Sequence, residues 1–391
     1  MSNNSEKALL PAGMSDVLPP DAGFETENLE RLMAAFATHG YLRIKPPLIE
    51  FEESLLAGLG KAMTAQTFRL MDPVSQRMMG VRADMTPQVA RIAATRMAGA
   101  PRPLRLSYAG EVLRVKGSQL RPERQFAQVG AELIGAPEAA ADVEVILLAA
   151  LALANLGVAG FSVDLAMPTL VPAVCKSFGI DRVTEGKLRQ ALERKDAAGV
   201  TQLTNDLGEE AAAVLSSMLA AAGPAERTLH VLEGLDLGAE AAHEWTTLKM
   251  VSEQLAAQAR DLKVTIDPVE NRGFEYHSGV TYTFFARDVR GEIGSGGRYM
   301  AENSTGGESA TGFTLFMDTV LRALPAAELP ERLYLPAGTA DADGERLRAE
   351  GWVTVRGLSS CDDDVCEARR IGCRHLFEGG QVHAIGSEDE V

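Results

Sequence analysis

The chain has 391 residues, a length that suits two or three domains, and 46% of them are hydrophobic, which supports a sizeable core and excludes global disorder. Its net charge of −16 weighs against broad nucleic-acid binding, which draws on a basic surface, although one local basic face would suffice. The longest apolar run, Val145 to Ala154, is shorter than the roughly 20 residues that cross a bilayer, and Met1 to Leu10 is polar, so no membrane association and a cytoplasmic setting are expected.

In chain order, Asp21 to His39 reads as an amphipathic helix, with Leu29, Leu32, Met33 and Phe36 at helical spacing and Gly40 suited to the carboxyl cap. Tyr41 to Lys45 follows as a strand stopped by Pro46-Pro47. A helix begins at Thr86-Pro87, where threonine suits the cap and proline the first helical position. Leu104 to Val115 and Gln125 to Ile134 read as an antiparallel pair, with a basic tip at Lys116, Arg121 and Arg124. Val143 to Leu156 is an apolar, central helix. From Met167 to Lys263 the texture turns helical, with breaks such as Gly223-Pro224. Val280 to Ala286 and Glu292 to Tyr299 form a hairpin around Asp288-Val289-Arg290-Gly291. A helix from about Gly312 to Ala323 closes this part, and Pro325 to Pro330 is a linker. The tail, Glu331 to Val391, alternates short strands and helices as a small α/β module.

Several residue sets are chemically suggestive and each also has a structural reading. Gln128 and Glu132 share a strand face with Gly130 between them, which leaves room for a small polar ligand and a carboxylate for its ammonium group; a solvated strand face has the same pattern. Asp84 and Thr86 at a helix entry could hold an amine or simply cap the helix, a contribution of about 0.5–2 kcal/mol. Arg114 and Arg272 offer planar forks for carboxylate or phosphate, or surface ion pairs. Gly294, Gly296 and Gly297 lie in strand texture without a following Lys-Ser or Lys-Thr, which favours close backbone packing over a phosphate loop. Cys175, Cys361, Cys366 and Cys373 form no CxxC pair and the six histidines lack ligand spacing, so reduced thiols, no metal and no cofactor are expected.

The order of these sets is more specific than any one of them. Pro11-Ala12-Gly13-Met14-Ser15-Asp16-Val17-Leu18-Pro19, Arg82-Ala83-Asp84-Met85-Thr86-Pro87, Tyr108-Ala109-Gly110-Glu111-Val112-Leu113-Arg114, Arg124 to Glu132, Arg272 to Gly279, and Gly296-Gly297-Arg298-Tyr299 followed by Gly312-Phe313 together resemble histidyl-tRNA synthetase over residues 8 to 324. The resemblance implies an α+β fold of the class II aminoacyl-tRNA synthetases, with a six-stranded antiparallel sheet, flanking helices and a homodimer. It places a first core part at 1–166, a helical insertion at 167–263, a second core part at 264–324 and a shortened anticodon-binding-like module at 331–391. It gives Asp84, Thr86, Gln128, Glu132, Arg272, Tyr276 and Tyr299 to an amino-acid pocket and Arg114 to a nucleotide and carboxylate contact.

The departures from that pattern carry the functional expectation. Thr319 stands where the last motif has arginine, Val115-Lys116-Gly117 replaces charged residues that hold ATP, His277 replaces an aromatic hydroxyl, and Asp84 is one methylene shorter than glutamate. Losing one preorganised donor to a developing charge costs about 10²–10³ in rate. The tail holds 13 acidic residues against 7 arginines and no lysine, a net charge of −6, which suits no tRNA stem. This pattern resembles the regulatory subunits of ATP phosphoribosyltransferase, non-catalytic chains that join a short-form catalytic subunit in the first step of histidine biosynthesis. It implies a homodimer within a hetero-oligomer, L-histidine as a candidate effector, and no tRNA or membrane partner. A working histidyl-tRNA synthetase and a stand-alone amino-acid-binding paralogue are the alternatives.

Overall fold

A computed structural model describes residues 10–56, 61–118, 121–204, 207–271, 276–301 and 306–386. The chain forms two compact units. One holds Ala22–Pro325 with the chain up to Val17; the other holds Ala326–Val391 with Leu18–Asp21.

The first unit is organised by a nine-stranded sheet. Its order is Leu42–Ile44, Leu104–Leu113, Gln125–Ile134, Glu308–Phe316, Glu292–Ala301, His277–Phe285, Ser162–Ala166, Lys263–Asp267 and Gly223–Pro224. The first pair and the pair Ser162–Ala166 with Lys263–Asp267 are parallel; the other pairings are antiparallel. The sheet is thus wider than the six antiparallel strands implied by the resemblance. Gly223–Pro224 is a two-residue strand, not only a break between helices, and its proline sits on the sheet edge, where no ladder donor is needed. A separate three-stranded sheet of Ile49–Phe51, Met78–Val81 and Phe68–Met71 lies in a stretch that gives little strand signal, since each strand has only three or four residues.

The run from Gly312 corrects the sequence reading. Glu308–Phe316 is a strand, and the helix spans only Met317–Val320, followed by a 3-10 turn Leu321–Ala323. This strand is paired on both edges and buried on both faces. The polar alternation that marks a one-sided strand is therefore missing, and periodicity cannot separate it from a buried helix.

Two helices clamp one face of the sheet. Asp21–Thr38 buries Leu32, Met33 and Phe36, and Phe36 meets Phe313 edge-on at 5.5 Å. Full burial of such side chains contributes about 1.5–3 kcal/mol each. Gly40, at φ 82°, turns the chain out of the helix. Ala139–Leu156 is apolar all round and is long and apolar enough, by composition, to cross a membrane. Here Val145, Ile146, Ala149 and Leu153 are instead fully buried between the sheet and helix Ala242–Gln258. Its first turn carries Asp142, whose Oδ2 accepts Arg298 Nε and Nη2 at 3.0 and 2.8 Å, while Arg298 also donates to the carbonyls of Ala136 and Glu138. Burial raises the Asp142 pKa and Arg298 pulls it back down. Breaking such a pair by removing one member costs about 3–5 kcal/mol, so it fixes the helix start to strand Glu292–Ala301.

Among the described residues between the parallel strands Ser162–Ala166 and Lys263–Asp267 lie six helices, Leu170–Ser177, Arg182–Glu193, Ala197–Thr204, Glu209–Ala221, Ala225–Glu233 and Ala242–Gln258.

The second unit has four strands in the order Val353–Arg356, Arg332–Leu335, His375–Glu378 and Gln381–Ala384, the first three parallel. Helices Asp341–Ala349 and Asp364–Arg370 make the crossovers. Leu333 and Leu335 pack with Leu347 and Phe377, while Tyr334 packs with Ala368, Cys373 and Leu376, so the sheet is covered on both faces.

Candidate functional site

The site grows from the register of three central strands. Tyr108, Gly130 and Thr314 are direct neighbours across strands Leu104–Leu113, Gln125–Ile134 and Glu308–Phe316, and so share a face. The Tyr108 phenol reaches across the glycine to Thr314, with the two hydroxyl oxygens 2.7 Å apart. A Cβ on Gly130 would lie 2.4 Å from the Tyr108 hydroxyl and from the Phe313 carbonyl. The space beside Gly130 is therefore filled by tyrosine rather than left for a ligand, a correction to the sequence reading.

One rung along, Glu132 faces Gly312. A Cβ there would fall 1.8 Å from Glu132 Oε2, so only glycine admits the carboxyl group. Three hydroxyls surround it. Tyr299 donates to Oε2 at 3.0 Å, and Thr86 and Tyr108 donate to Oε1 at 3.1 and 3.3 Å. Burial dominates its acidity and pushes the pKa up to about 8, against these donors, with the charge of Asp84 adding to the rise. Burial likewise lifts the phenols of Tyr108, Tyr299 and Tyr276 well above their ordinary range. Burial thus favours the protonated form of the Glu132 carboxyl group, set among neutral hydroxyls.

Asp84, Thr86 and Gln128 form the adjoining wall. Helix Thr86–Ala94 starts at Thr86, and its amide is held by Asp84 Oδ1 at 2.9 Å. The amide contact thus belongs to Asp84, and the Thr86 hydroxyl turns to Glu132. Gln128 Nε2 donates to Asp84 Oδ2 at 3.0 Å, and Gln128 Oε1 accepts the Met85 amide at 3.1 Å. Gln128 is fully buried and Asp84 half-buried.

Tyr276 stacks on Tyr299 with ring centroids 5.2 Å apart and meets His277 edge-on. His277 Nδ1 lies 3.2 Å from the Arg298 carbonyl, which assigns the proton to Nδ1 and leaves Nε2 as an acceptor. Burial lowers its pKa to about 4, so the ring is neutral. Arg272 lies outside the described residues.

Arg114 stands apart from this network. Its Nε donates weakly to the Ala83 carbonyl at 3.4 Å and its guanidinium lies 5.0 Å from the Phe126 ring centroid, with no carboxylate partner among the described residues. In the expected basic tip Lys116 is exposed, whereas Arg121 and Arg124 are engaged. Arg121 is buried, its Nε 3.2 Å from Asp318 Oδ2, and its guanidinium stacks 3.8 Å over Phe316. Arg124 donates to the Arg114 and Ala12 carbonyls. Thr319 is buried and its hydroxyl donates to the Phe316 carbonyl at 3.0 Å, so it presents nothing to a ligand.

The structure brings Asp84, Thr86, Gln128, Glu132, Tyr276 and Tyr299 together. Tyr108, Thr314 and Gly312 were missed by sequence reasoning, although all three sit in quoted or adjacent motifs, because their role depends on cross-strand register. Gly294, Gly296 and Gly297 are close-packing positions, where a Cβ would meet Leu315, the Gly312 carbonyl and Thr281.

The profile of the histidyl-tRNA synthetase family matches residues 13–320. The ATP phosphoribosyltransferase regulatory subunit of Paramagnetospirillum magneticum is 57% identical over 375 residues, covering 96% of this chain and 97% of its own. That of Rhodospirillum centenum is 55% identical, covering 97% and 96%. Among solved structures, an ATP phosphoribosyltransferase regulatory subunit/histidyl-tRNA synthetase of Bacillus halodurans superposes with a TM-score of 0.82 at 24% identity, covering 94% and 97%. Histidyl-tRNA synthetase of Nostoc sp. gives 0.79 at 16% identity, covering 94% and 90%. At these identities the two structures establish the class II synthetase fold.

The Glu132 carboxyl makes stability fall with pH. Its folded pKa of about 8 exceeds its ordinary 4.5, so the folded state holds a proton the unfolded chain has released. Its stabilisation is complete below 4.5 and is lost as pH rises to about 8, at no more than about 1.4 kcal/mol per pH unit. Glu132→Gln is expected to flatten this slope in urea unfolding between pH 5 and 8; an unchanged slope contradicts a protonated Glu132.

Proposed function

The chain belongs to the family of ATP phosphoribosyltransferase regulatory subunits, and we propose that it serves its complex as a non-catalytic sensor, holding an amino acid in the Glu132 pocket without activating it. The observation that carries this reading is the contrast between the two sides of the site. The amino-acid side keeps a carboxyl, an amide and four hydroxyls converging on one face. On the other side, Thr319 is buried against its own backbone and Arg121 is neutralised by Asp318.

Adenylation needs fixed positive charge against phosphate and developing oxyanion oxygens. Arg114 is left to supply it, beside a loop that otherwise offers Lys116. Amino-acid binding needs only an acceptor for ammonium and a fork for carboxylate. Glu132 and Asp84 are suited to the first, and Arg114 or Arg272 to the second. An ammonium group arriving at Glu132 favours the ionised carboxylate, so binding would release a proton.

The catalytic partner in this proposal is a short-form ATP phosphoribosyltransferase subunit that condenses ATP with phosphoribosyl pyrophosphate, with L-histidine as effector. The acidic second unit supports the absence of tRNA from the assembly. A homodimer within the hetero-oligomer is supported by Leu42 in the edge strand and by Leu48 and Ile49 beyond it, which expose apolar surface beside the helix Asp21–Thr38.

Three outcomes are expected. Histidine-dependent pyrophosphate exchange and tRNA charging by the purified chain stay at background; robust turnover in either assay overturns the non-catalytic reading. In the reconstituted complex, Glu132→Ala raises the half-inhibitory histidine concentration by about tenfold or more, the loss of one charged hydrogen bond. Unchanged inhibition in an assembled complex would put the effector elsewhere. Light scattering on the chain alone reads a dimer at micromolar concentration, and a stable monomer refutes the proposed interface.

A further inference from the structure

The second unit is acidic, yet four of its seven arginines line one cleft of about 1310 Å³. They come from separate places in the fold. Arg332 opens the strand Arg332–Leu335, Arg369 and Arg370 end the helix Asp364–Arg370, and Arg374 precedes the strand His375–Glu378. Gly372, at φ 76°, makes the turn between the last two groups. Leu329, Pro330 and Ile385 add apolar surface to the lining, Ile385 beside Arg374, and every lining residue belongs to this unit.

The other three arginines of the unit are spent internally: Arg346 on Glu350, Arg356 on Asp341 and Arg348 on Thr354. Within the cleft, Arg332 Nη1 donates to the Ile371 carbonyl at 3.0 Å, which anchors the turn, and Arg370 grips Glu367 through two bonds of 2.6 and 2.7 Å. Arg369 and Arg374 are exposed and have no carboxylate partner among the described residues. Glu328 and Glu331 also line the cleft, the second 3.8 Å from His375 Nδ1, so the lining carries a net positive charge. Two unpaired guanidinium forks in the lining of one cleft, in a unit of net charge −8, present the donor geometry that planar oxyanions accept.

Small-molecule sites run to about 300–1000 Å³, so this open cleft has room for more than an inorganic anion. We propose that the arginine cleft of the second unit binds a phosphorylated small molecule of nucleotide size, its phosphates on Arg369 and Arg374 and its body against Leu329, Pro330 and Ile385. This site is separate from the Glu132 pocket and does not depend on what that pocket binds.

Calorimetric titration of the full chain with ADP, adenosine and pyrophosphate tests it. Saturable binding of ADP, absent with adenosine, is expected. Arg369→Ser with Arg374→Ser should weaken it about tenfold or more, the loss of charged hydrogen bonds, while Arg114→Ser leaves it unchanged. Both replaced residues are exposed, so the fold should persist, which circular dichroism checks. Failure of both phosphate probes to bind, equal affinity in the double variant, or weakening by Arg114→Ser instead would overturn the proposal. So would binding of a glutamate-rich peptide with neither phosphate probe bound, which would assign the cleft to a protein partner.

Discussion

A carboxyl group cannot be buried in a sheet unless both its volume and its hydrogen bonds are provided, and Glu132 sets that requirement for the centre of this fold. An isolated carboxylate moved out of water costs far more than a domain can spare, and in practice the group takes a proton instead. Gly312 provides the volume, since any side chain there would overlap the carboxyl oxygens. Tyr108, Tyr299 and Thr86 provide the hydrogen bonds from two strands and a helix start. The register of strands Leu104–Leu113, Gln125–Ile134, Glu308–Phe316 and Glu292–Ala301 must therefore hold to the residue. A shift by one would turn the whole set to the opposite face.

Charge is handled differently at the other end of the site. Arg114 and Arg121 lie against Phe126, and Arg121 also stacks on Phe316, a setting that desolvates the buried Arg121 guanidinium. The Arg121 pKa is lowered by burial, and Asp318 and Glu292 oppose that loss. Asp318, in turn, is raised by burial and pulled down by Arg121. The two charges lie 3.2 Å apart and offset each other's field. A fixed charge that already has a counter-ion is a structural element, and its contribution to a developing negative charge elsewhere is correspondingly small.

The sequence made the fold class readable because motif order constrains topology strongly. It made helix Asp21–Thr38 readable through spacing, and the Leu104 and Gln125 strands through their length. It failed where burial on both faces erased alternation, as in Glu308–Phe316, and where strands were three or four residues long, as in Ile49–Phe51. Six of the residues that lie together around Glu132 could be named because they fall within motifs. Their partners could not be named, because Tyr108 and Thr314 meet across a glycine that spacing alone reads as empty space. The basic loop was misjudged for a related reason: composition counts Arg121 as charge, whereas only packing reveals Asp318 and Phe316 beside it.

The residues gathered around Glu132 come from the sheet and from one helix start. That helix is Thr86–Ala94, its start held to the sheet by the Asp84–Gln128 bridge and the Thr86–Glu132 bond. On its next turn, Gln88 Nε2 donates to the Pro47 carbonyl and to Glu50 at 2.8 Å, and Arg91 Nε donates to Glu50 at 2.9 Å. Glu50 belongs to the short sheet at Ile49–Phe51, where Leu48, Ile49, Met71 and Met78 expose apolar surface. A ligand shifts an equilibrium only through contacts that differ between two states, and a coupling of about 1–3 kcal/mol is the usual scale. A ligand that engages Asp84 or Thr86 competes for bonds that seat this helix, and the helix carries the contacts to Glu50 on its following turn.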